Sequence, residues 1–345
     1  MKTLSNIYLK QYTKKFFCLF LALSLFTVTP TETVSAAPKK IQKSQTPLKK
    51  NGRLKVKKSS LINSKGKKVL LKGVSTHGIN WFPEYVNPDA FQTLRDNWGV
   101  NCVRLAMYTE EYNGYCSGGS RRELKSLIDK GVKYATDLGM YVIIDWHTLS
   151  DGNPNKNKKQ AVSFFKEMAK KYRKHKNVLY EICNEPNGNT QWKDIKTYAK
   201  TIIKAIRTYD KKNIILVGTP TWSQDVDTAA ESPIKGYKNL MYTFHFYAAS
   251  HKASYRSKVE KAIEKGLPVF VSEFGISESS GNGKINKKEA NKWIKFLKEK
   301  KISYVCWNLS NKNESCSLLK SACKKTKGFK SSDLSAAGKW FKKML

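Results

Sequence analysis

Residues 178–189 read VLYEICNEPNGN. The run opens like a strand buried on both faces and ends by presenting Asn184, Glu185 and Pro186 in succession. A strand that only filled a core would not need a carboxylate at its tip. Seven other apolar runs have comparable form: 69–78, 102–108, 140–147, 213–218, 240–247, 268–275 and 303–310. Each is close to continuously apolar, as strands covered on both sides by helices are. Between them lie lysine-rich segments such as KQAVSFFKEMAKKYRKH (159–175) and KEANKWIKFLKEKK (288–301), whose apolar residues recur at i, i+3 and i+4. Eight alternations from residue 69 onward predict an α/β fold, a (β/α)₈ TIM barrel, for which about 250 residues is usual. An open doubly wound sheet is the alternative, but no Gly-rich dinucleotide turn follows the first run. Residues 54–68 predict a short N-terminal β-hairpin, turning at Asn63 to Gly66, that closes the barrel floor.

The ends of these runs carry the chemistry. His77, Arg104, His147, Asn184 with Glu185, His245 with Tyr247, Glu273 and Trp307 each stand at or near the C-terminal end of an apolar run. In a (β/α)₈ barrel those ends converge on one rim, where the active site lies. Taken singly, each has a structural explanation; Glu185 before Pro186, for example, also suits a helix N-terminus. Together they are harder to explain as packing, because burying two glutamates on one rim is costly without a use for them. Two carboxyl groups facing each other across a barrel mouth allow glycoside hydrolysis, one protonated to donate and one ionised to attack. Arg104 beside Glu273 would favour the ionised form of that partner.

CNEPNG around Glu185, VSEFG around Glu273, HFY at 245–247, the Arg104 strand, IIDWH ending at His147 and WNLSNKNES from Trp307 closely resemble the bacterial endoglucanases of glycoside hydrolase family 5. THGINWF (76–82) and TPTWSQDVD (219–227) are similar stretches in its secreted endo-β-1,4-glucanases, and the resemblance spans about residues 49–343. It implies that Glu185 is the general acid/base and Glu273 the nucleophile of a retaining double displacement, with carboxyls ~5–5.5 Å apart. It further implies that Asn184 binds the sugar 2-OH, Tyr247 touches the nucleophile, Arg104 orients it, and His147 and His245 complete a hydrogen-bonded floor. His77, Tyr108, Lys312 and Glu314 occupy positions that contact glucose hydroxyls in similar enzymes. Exposed tryptophans suit the apolar CH faces of sugars, which makes Trp81, Trp222 and Trp307 platform candidates; Trp98, Trp192 and Trp293, on helical segments, are expected in the core.

Composition adds limits. Of 345 residues 40% are hydrophobic and 12% aromatic, which supports a sizeable core. Lys2, Lys10, Lys14 and Lys15 precede the apolar run 16–26 and a small-residue site ending at Ala36, so residues 1–36 read as a secretory signal peptide. The run of 11 apolar residues is short against the ~20 a bilayer requires. Residues 37–50 read as a basic linker and 51–345 as the catalytic domain, giving a secreted protein with no membrane association after cleavage. The net charge is +37, and residues 38–58 hold nine Lys or Arg without one acid. Such a run is usually a solvated coat, but it would also allow weak binding to anionic cell-wall material. No nucleic-acid signature is present.

Of seven cysteines, Cys102, Cys183 and Cys306 fall in strands, while Cys116, Cys316 and Cys323 fall in loops, where a disulfide could form in an oxidising compartment. No pair has zinc-site spacing, and STHGIN supplies a single histidine, against a metal-dependent hydrolase. A monomer acting on β-glucan without metal or cofactor is therefore expected. The alternatives are a β-mannanase or a mixed-linkage or xyloglucan glucanase on the same barrel, and a non-catalytic wall-binding protein.

Overall fold

The computed structural model describes residues 45–345; the expected signal peptide, and the expected linker up to residue 44, lie outside the described residues. Among the described residues, no helix is long and apolar enough to cross a membrane. The chain starts with a helical turn, α1 (Pro47–Asn51), and a two-stranded antiparallel hairpin, β1 (Lys55–Lys57) and β2 (Ser60–Ile62). The hairpin turns at Lys58 and Ser59, five residues earlier than the Asn63 expectation; Asn63 to Gly66 forms a second turn leading to a bridge between Ile62 and Lys68. Asn63 has the turn chemistry that suggested it, with its side-chain oxygen accepting from the Lys65 and Lys67 N–H groups, but the ladder closes sooner. The last residues of the expected linker are ordered in α1, whose Leu48 packs beneath the barrel.

Eight parallel strands then close in chain order: β3 (Lys72–Thr76), β4 (Cys102–Tyr108), β5 (Tyr141–His147), β6 (Val178–Glu181), β7 (Ile215–Val217), β8 (Leu240–Tyr247), β9 (Val269–Gly275) and β10 (Tyr304–Leu309). Most of the intervening helices are long and amphipathic: α2 (Pro88–Trp98), α3 (Arg121–Asp137), α4 (Lys158–Tyr172), α5 (Trp192–Tyr209), the short α6 (Pro220–Ser223) and α7 (Val226–Glu231), then α8 (Ala253–Glu264), α9 (Lys287–Lys300) and α10 (Ala336–Met344). α2 shows why they start and stop where they do. Asn87 caps the Ala90 N–H at 2.8 Å, Pro88 sits in the first turn, and Gly99 closes the end with φ 77°.

Period-two alternation sorts each strand into an outer and an inner set. Val103, Leu105 and Met107 of β4 and Val142, Ile144 and Trp146 of β5 join the core beneath the helices. Cys102, Tyr141, Ile143, Leu179, Leu216, Met241, Phe270 and Val305 face inward and form a second cluster with Leu54, Leu61, Val69 and Leu71. The hairpin thus plugs the barrel floor. Arg53 bonds Asn213, the Tyr141 hydroxyl donates to the Gly52 carbonyl at 2.6 Å, and the Val56 N–H reaches Asn239 at 3.0 Å.

β9 departs from the alternation. Its register against β8 runs Thr243 with Phe270 but His245 with Glu273, so β9 holds one extra residue, and its pairing with β10 shifts in the same stretch. This bulge leaves both Ser272 and Glu273 available to the barrel interior, while Phe274 returns outward to pack on Phe246.

Candidate active site

Glu185 lies just beyond β6 and Glu273 on β9, and carboxylate oxygens of the two, with a ring nitrogen of His245, all fall within 4.8 Å of one another. Glu273 is held from two sides. Arg104 Nη1 donates to its Oε2 at 3.0 Å, and the Tyr247 hydroxyl donates to its Oε1 at 2.7 Å. Gly275 keeps Tyr247 in place, since a Cβ there would meet its ring at 2.5 Å. Glu185 has a different neighbour, His245 Nδ1, at 2.8 Å.

Below this pair lies a buried polar layer. Arg104 is fully buried and reaches Glu181 at 2.7 Å, Glu273 at 3.0 Å and Asp145 at 3.1 Å. Its Nη2 also donates to Asn184 Oδ1 at 2.6 Å, while Asn184 Nδ2 donates to the Thr148 carbonyl at 3.1 Å. Ser272 donates to Glu181 at 2.6 Å and so offers its own oxygen to His245 Nε2, 2.9 Å away. That chain fixes a proton on Nε2 and leaves Nδ1 to share one with Glu185. Asp145 accepts from His147 Nδ1 at 2.6 Å.

These surroundings set the protonation states apart. Burial, followed by the Glu273 charge, raises the Glu185 carboxyl above the ordinary glutamate range, with the His245 contact pulling the other way. Burial works against ionisation of Glu181 too, but Arg104 and His245 outweigh it and bring that group down to about 2. His245 is raised to about 9: burial opposes its charge, and the contacts to Glu181 and Glu185 prevail. His147 is lowered to about 3 by burial and then by Arg104, and is therefore a neutral ring. Burial and the Glu273 charge keep the Tyr247 phenol protonated, hence a donor.

An aromatic wall rises on one side. Trp307 stacks on His147 with centroids 5.2 Å apart, Tyr108 meets His147 edge-on at 4.2 Å, and Trp81 stacks on Tyr108 at 4.6 Å. His77 sits within 5.1 Å of the Trp307 ring and is lowered to about 3 by burial and then by Lys312. Lys312 contacts His77 at 3.3 Å and pairs with Glu314 at 2.7 Å, so the NKNES loop joins this wall. On the other side Glu185, Trp222, His245, Tyr247, His251 and Tyr255 line a cavity of about 530 Å³. Trp222 is 44% exposed there, at the centre of three successive left-handed residues, Thr221 to Ser223. The turn is bolted to the catalytic loop: the Trp222 N–H donates to the Pro186 carbonyl at 3.0 Å and the Ser223 hydroxyl to the Asn184 carbonyl at 2.6 Å.

Every residue picked out from the strand ends and the family resemblance therefore lies around one mouth. Trp307 differs in degree from expectation, being only 5% exposed, while Trp98, Trp192 and Trp293 are in the core. Asp145, Glu181 and Ser272 were not picked out; the available signal was a carboxylate within each of the apolar runs IIDWH and VLYEICNE. The expected disulfide is not formed. All six described cysteines are free, with Cys316 Sγ beside Glu314 and Cys323 Sγ directed to the Lys325 carbonyl. Glu185, His245 and Glu273 also form a metal-capable trio among the described residues, but both Glu273 oxygens already accept from Arg104 and Tyr247, and the Arg104 charge repels a cation.

Residues 62–313 match the family model for cellulase, glycosyl hydrolase family 5. The chain is 50% identical over 330 residues to an endoglucanase of Clostridium saccharobutylicum, covering 95% of this chain and 71% of that protein. It is 49% identical over 296 residues to endoglucanase A of Butyrivibrio fibrisolvens, covering 85% and 68%. Among solved structures, the catalytic domain of Thermobifida fusca endoglucanase Cel5A in complex with cellotetraose superposes with a TM-score of 0.82 at 35% identity, over 87% of this chain and 99% of that one.

Proposed function

The chain belongs to glycosyl hydrolase family 5, and from that premise we propose that it is a secreted endo-β-1,4-glucanase that cleaves internal bonds of cellulose with retention of configuration. One observation carries the mechanism: two glutamates lie within 4.8 Å across one mouth, Glu273 held by Arg104 and Tyr247 and Glu185 raised by burial above the ordinary glutamate range. Glu273, steadied by Arg104 and Tyr247, attacks the anomeric carbon, while Glu185, kept protonated by burial, gives its proton to the departing oxygen. The glycosyl-enzyme ester forms as the glycosidic bond breaks. Once Glu273 is esterified its charge is gone, the Glu185 proton is easier to lose, and Glu185 takes a proton from the water that releases the sugar.

Asn184 keeps one amide N–H free after its bond to Thr148, and that N–H suits the sugar 2-OH. His77, Trp81, Tyr108, Trp307, Lys312 and Glu314 would hold the glycone side, with Trp222 a platform on the leaving-group side; His147 and His245 support the two walls. Residues 1–36 act as the signal peptide and 51–345 as the catalytic domain, and the enzyme works as a monomer. The test is product analysis on carboxymethylcellulose, mannan and lichenan, with the anomeric configuration read by NMR in the first minutes. Rapid viscosity loss on carboxymethylcellulose with β-anomeric products is expected. Initial α-products, or faster cleavage of mannan, would overturn the assignment.

A further inference from the structure

Charge is distributed very unevenly between the two ends of the barrel. The connections that enter the strands, residues 45–71, 173–177, 210–214, 232–239, 265–268 and 301–303, carry eighteen Lys or Arg and a single acid, Asp210. Asp210 is buried, accepting from the Lys212 and Asn213 N–H groups, and adds little negative potential outside. Connections that leave the strands, around the catalytic mouth, hold acids and bases in comparable number. Among the loops of the described residues, the excess positive charge is therefore concentrated on the face away from the catalytic residues.

That face has a groove. A cavity of about 630 Å³ lies where the floor hairpin meets the starts of β8 and β9, rimmed by Lys55, Lys211, Lys212, Lys238 and Lys265. All five are exposed, and only Lys265 is ion-paired among the described residues, with Glu231. Four ammonium groups thus surround one concavity without a counter-charge, an arrangement that self-repulsion disfavours unless an anion is attracted to it. Between them, Val56, Tyr237 and Pro268 supply apolar and aromatic surface. The volume falls within the ~300–1,000 Å³ typical of ligand sites.

We propose that this groove binds an acidic polysaccharide built of uronic-acid units. A uronate chain presents a regularly repeated carboxylate and, on each ring, an apolar CH face; the lysine rim matches the first and the Tyr237 and Pro268 surface the second. An inorganic polyphosphate has the charge but no such face. Because the groove and the catalytic mouth are at opposite ends of the barrel, the bound polymer leaves the cleft open. The proposal stands apart from the reading of the active site, since it uses none of its residues.

The test is binding of the whole chain to polygalacturonate at physiological salt, measured by calorimetry and compared with neutral dextran, polyphosphate and single-stranded DNA. Reversing the groove (Lys55→Glu, Lys211→Glu, Lys212→Glu, Lys238→Glu) should weaken polygalacturonate binding by about tenfold or more. Reversing four exposed lysines on α4 and α5 (Lys166, Lys170, Lys193 and Lys200, each →Glu) should weaken it by less than about threefold. Cellohexaose turnover, which involves a neutral substrate, serves as the folding control and should be unchanged in both. If the fourfold glutamate variant does not fold, the four Lys→Gln replacements give the same comparison. Tyr237→Ser should lower affinity for polygalacturonate and leave polyphosphate binding unaltered. Equal losses in the two lysine sets, equal affinity for polyphosphate or DNA, or no binding to polygalacturonate would each overturn the proposal.

Discussion

The floor and the mouth of the barrel are built by the same strands on the same inward face, and they differ by a step of two residues. On β5 the inward series is Tyr141, Ile143, Asp145, His147; on β4 it is Cys102, Arg104, Ala106, Tyr108; on β6 Leu179 gives way to Glu181. Below the step, apolar side chains meet the hairpin leucines, and each fully buried one contributes about 1.5–3 kcal/mol. Above it, one guanidinium faces three carboxyl groups in a dry interior, where desolvation is expensive and the return is control over protons. The lower layers hold the molecule together, and the upper layers spend that stability on chemistry.

This division can be broken by substitution. The largest effect is expected from Glu273→Ala, which should lower kcat by about 10⁴-fold or more with the melting temperature held; added azide should restore turnover as an α-glycosyl azide, and unchanged activity would remove the nucleophile assignment. Glu185→Gln comes next, at about 10²–10⁴-fold in kcat on cellulose, and it should matter much less on an activated aryl glycoside whose leaving group needs no proton. At the floor, Leu61→Ala should cost about 2–5 kcal/mol in denaturant unfolding while kcat/KM at 25 °C stays near wild type. A kinetic defect there as large as the stability loss would mean that the two layers are not separable.

The smallest and most diagnostic change concerns pH. His245 stays charged up to about 9, and its charge eases the loss of the Glu185 proton. His245→Asn should therefore shift the alkaline limb of the kcat/KM profile to higher pH, because the acid keeps its proton longer. A shift to lower pH would show that the histidine protects that proton instead.

Much of this was readable in the sequence. The eight strands appeared as eight apolar runs because strands covered on both faces admit few polar residues, and the rim was legible because polar side chains clustered where those runs stopped. Asp145 and Glu181 were not, since a single carboxylate inside an apolar run shows neither its direction nor the arginine awaiting it on another strand. Trp222 could be read as a platform, but not the left-handed turn that lifts it, because nothing in the residues Thr-Trp-Ser marks that backbone. The loop cysteines misled for a similar reason: their sequence separation carries no information about which way the thiols point, and the structure gives each its own surroundings.

The extra residue in β9 has a consequence for anyone who would edit this protein. Ser272 and Glu273 are adjacent in the chain yet serve the same side of the sheet, which a regular pleat forbids. An edit that let the pleat run regularly from Phe270 at unchanged chain length, with Ser272 and Phe274 inward, would send the attacking carboxylate outward among the helices, with every catalytic side chain still encoded. The reading frame of the fold, as much as the spelling of its residues, is what puts the nucleophile in reach of a sugar.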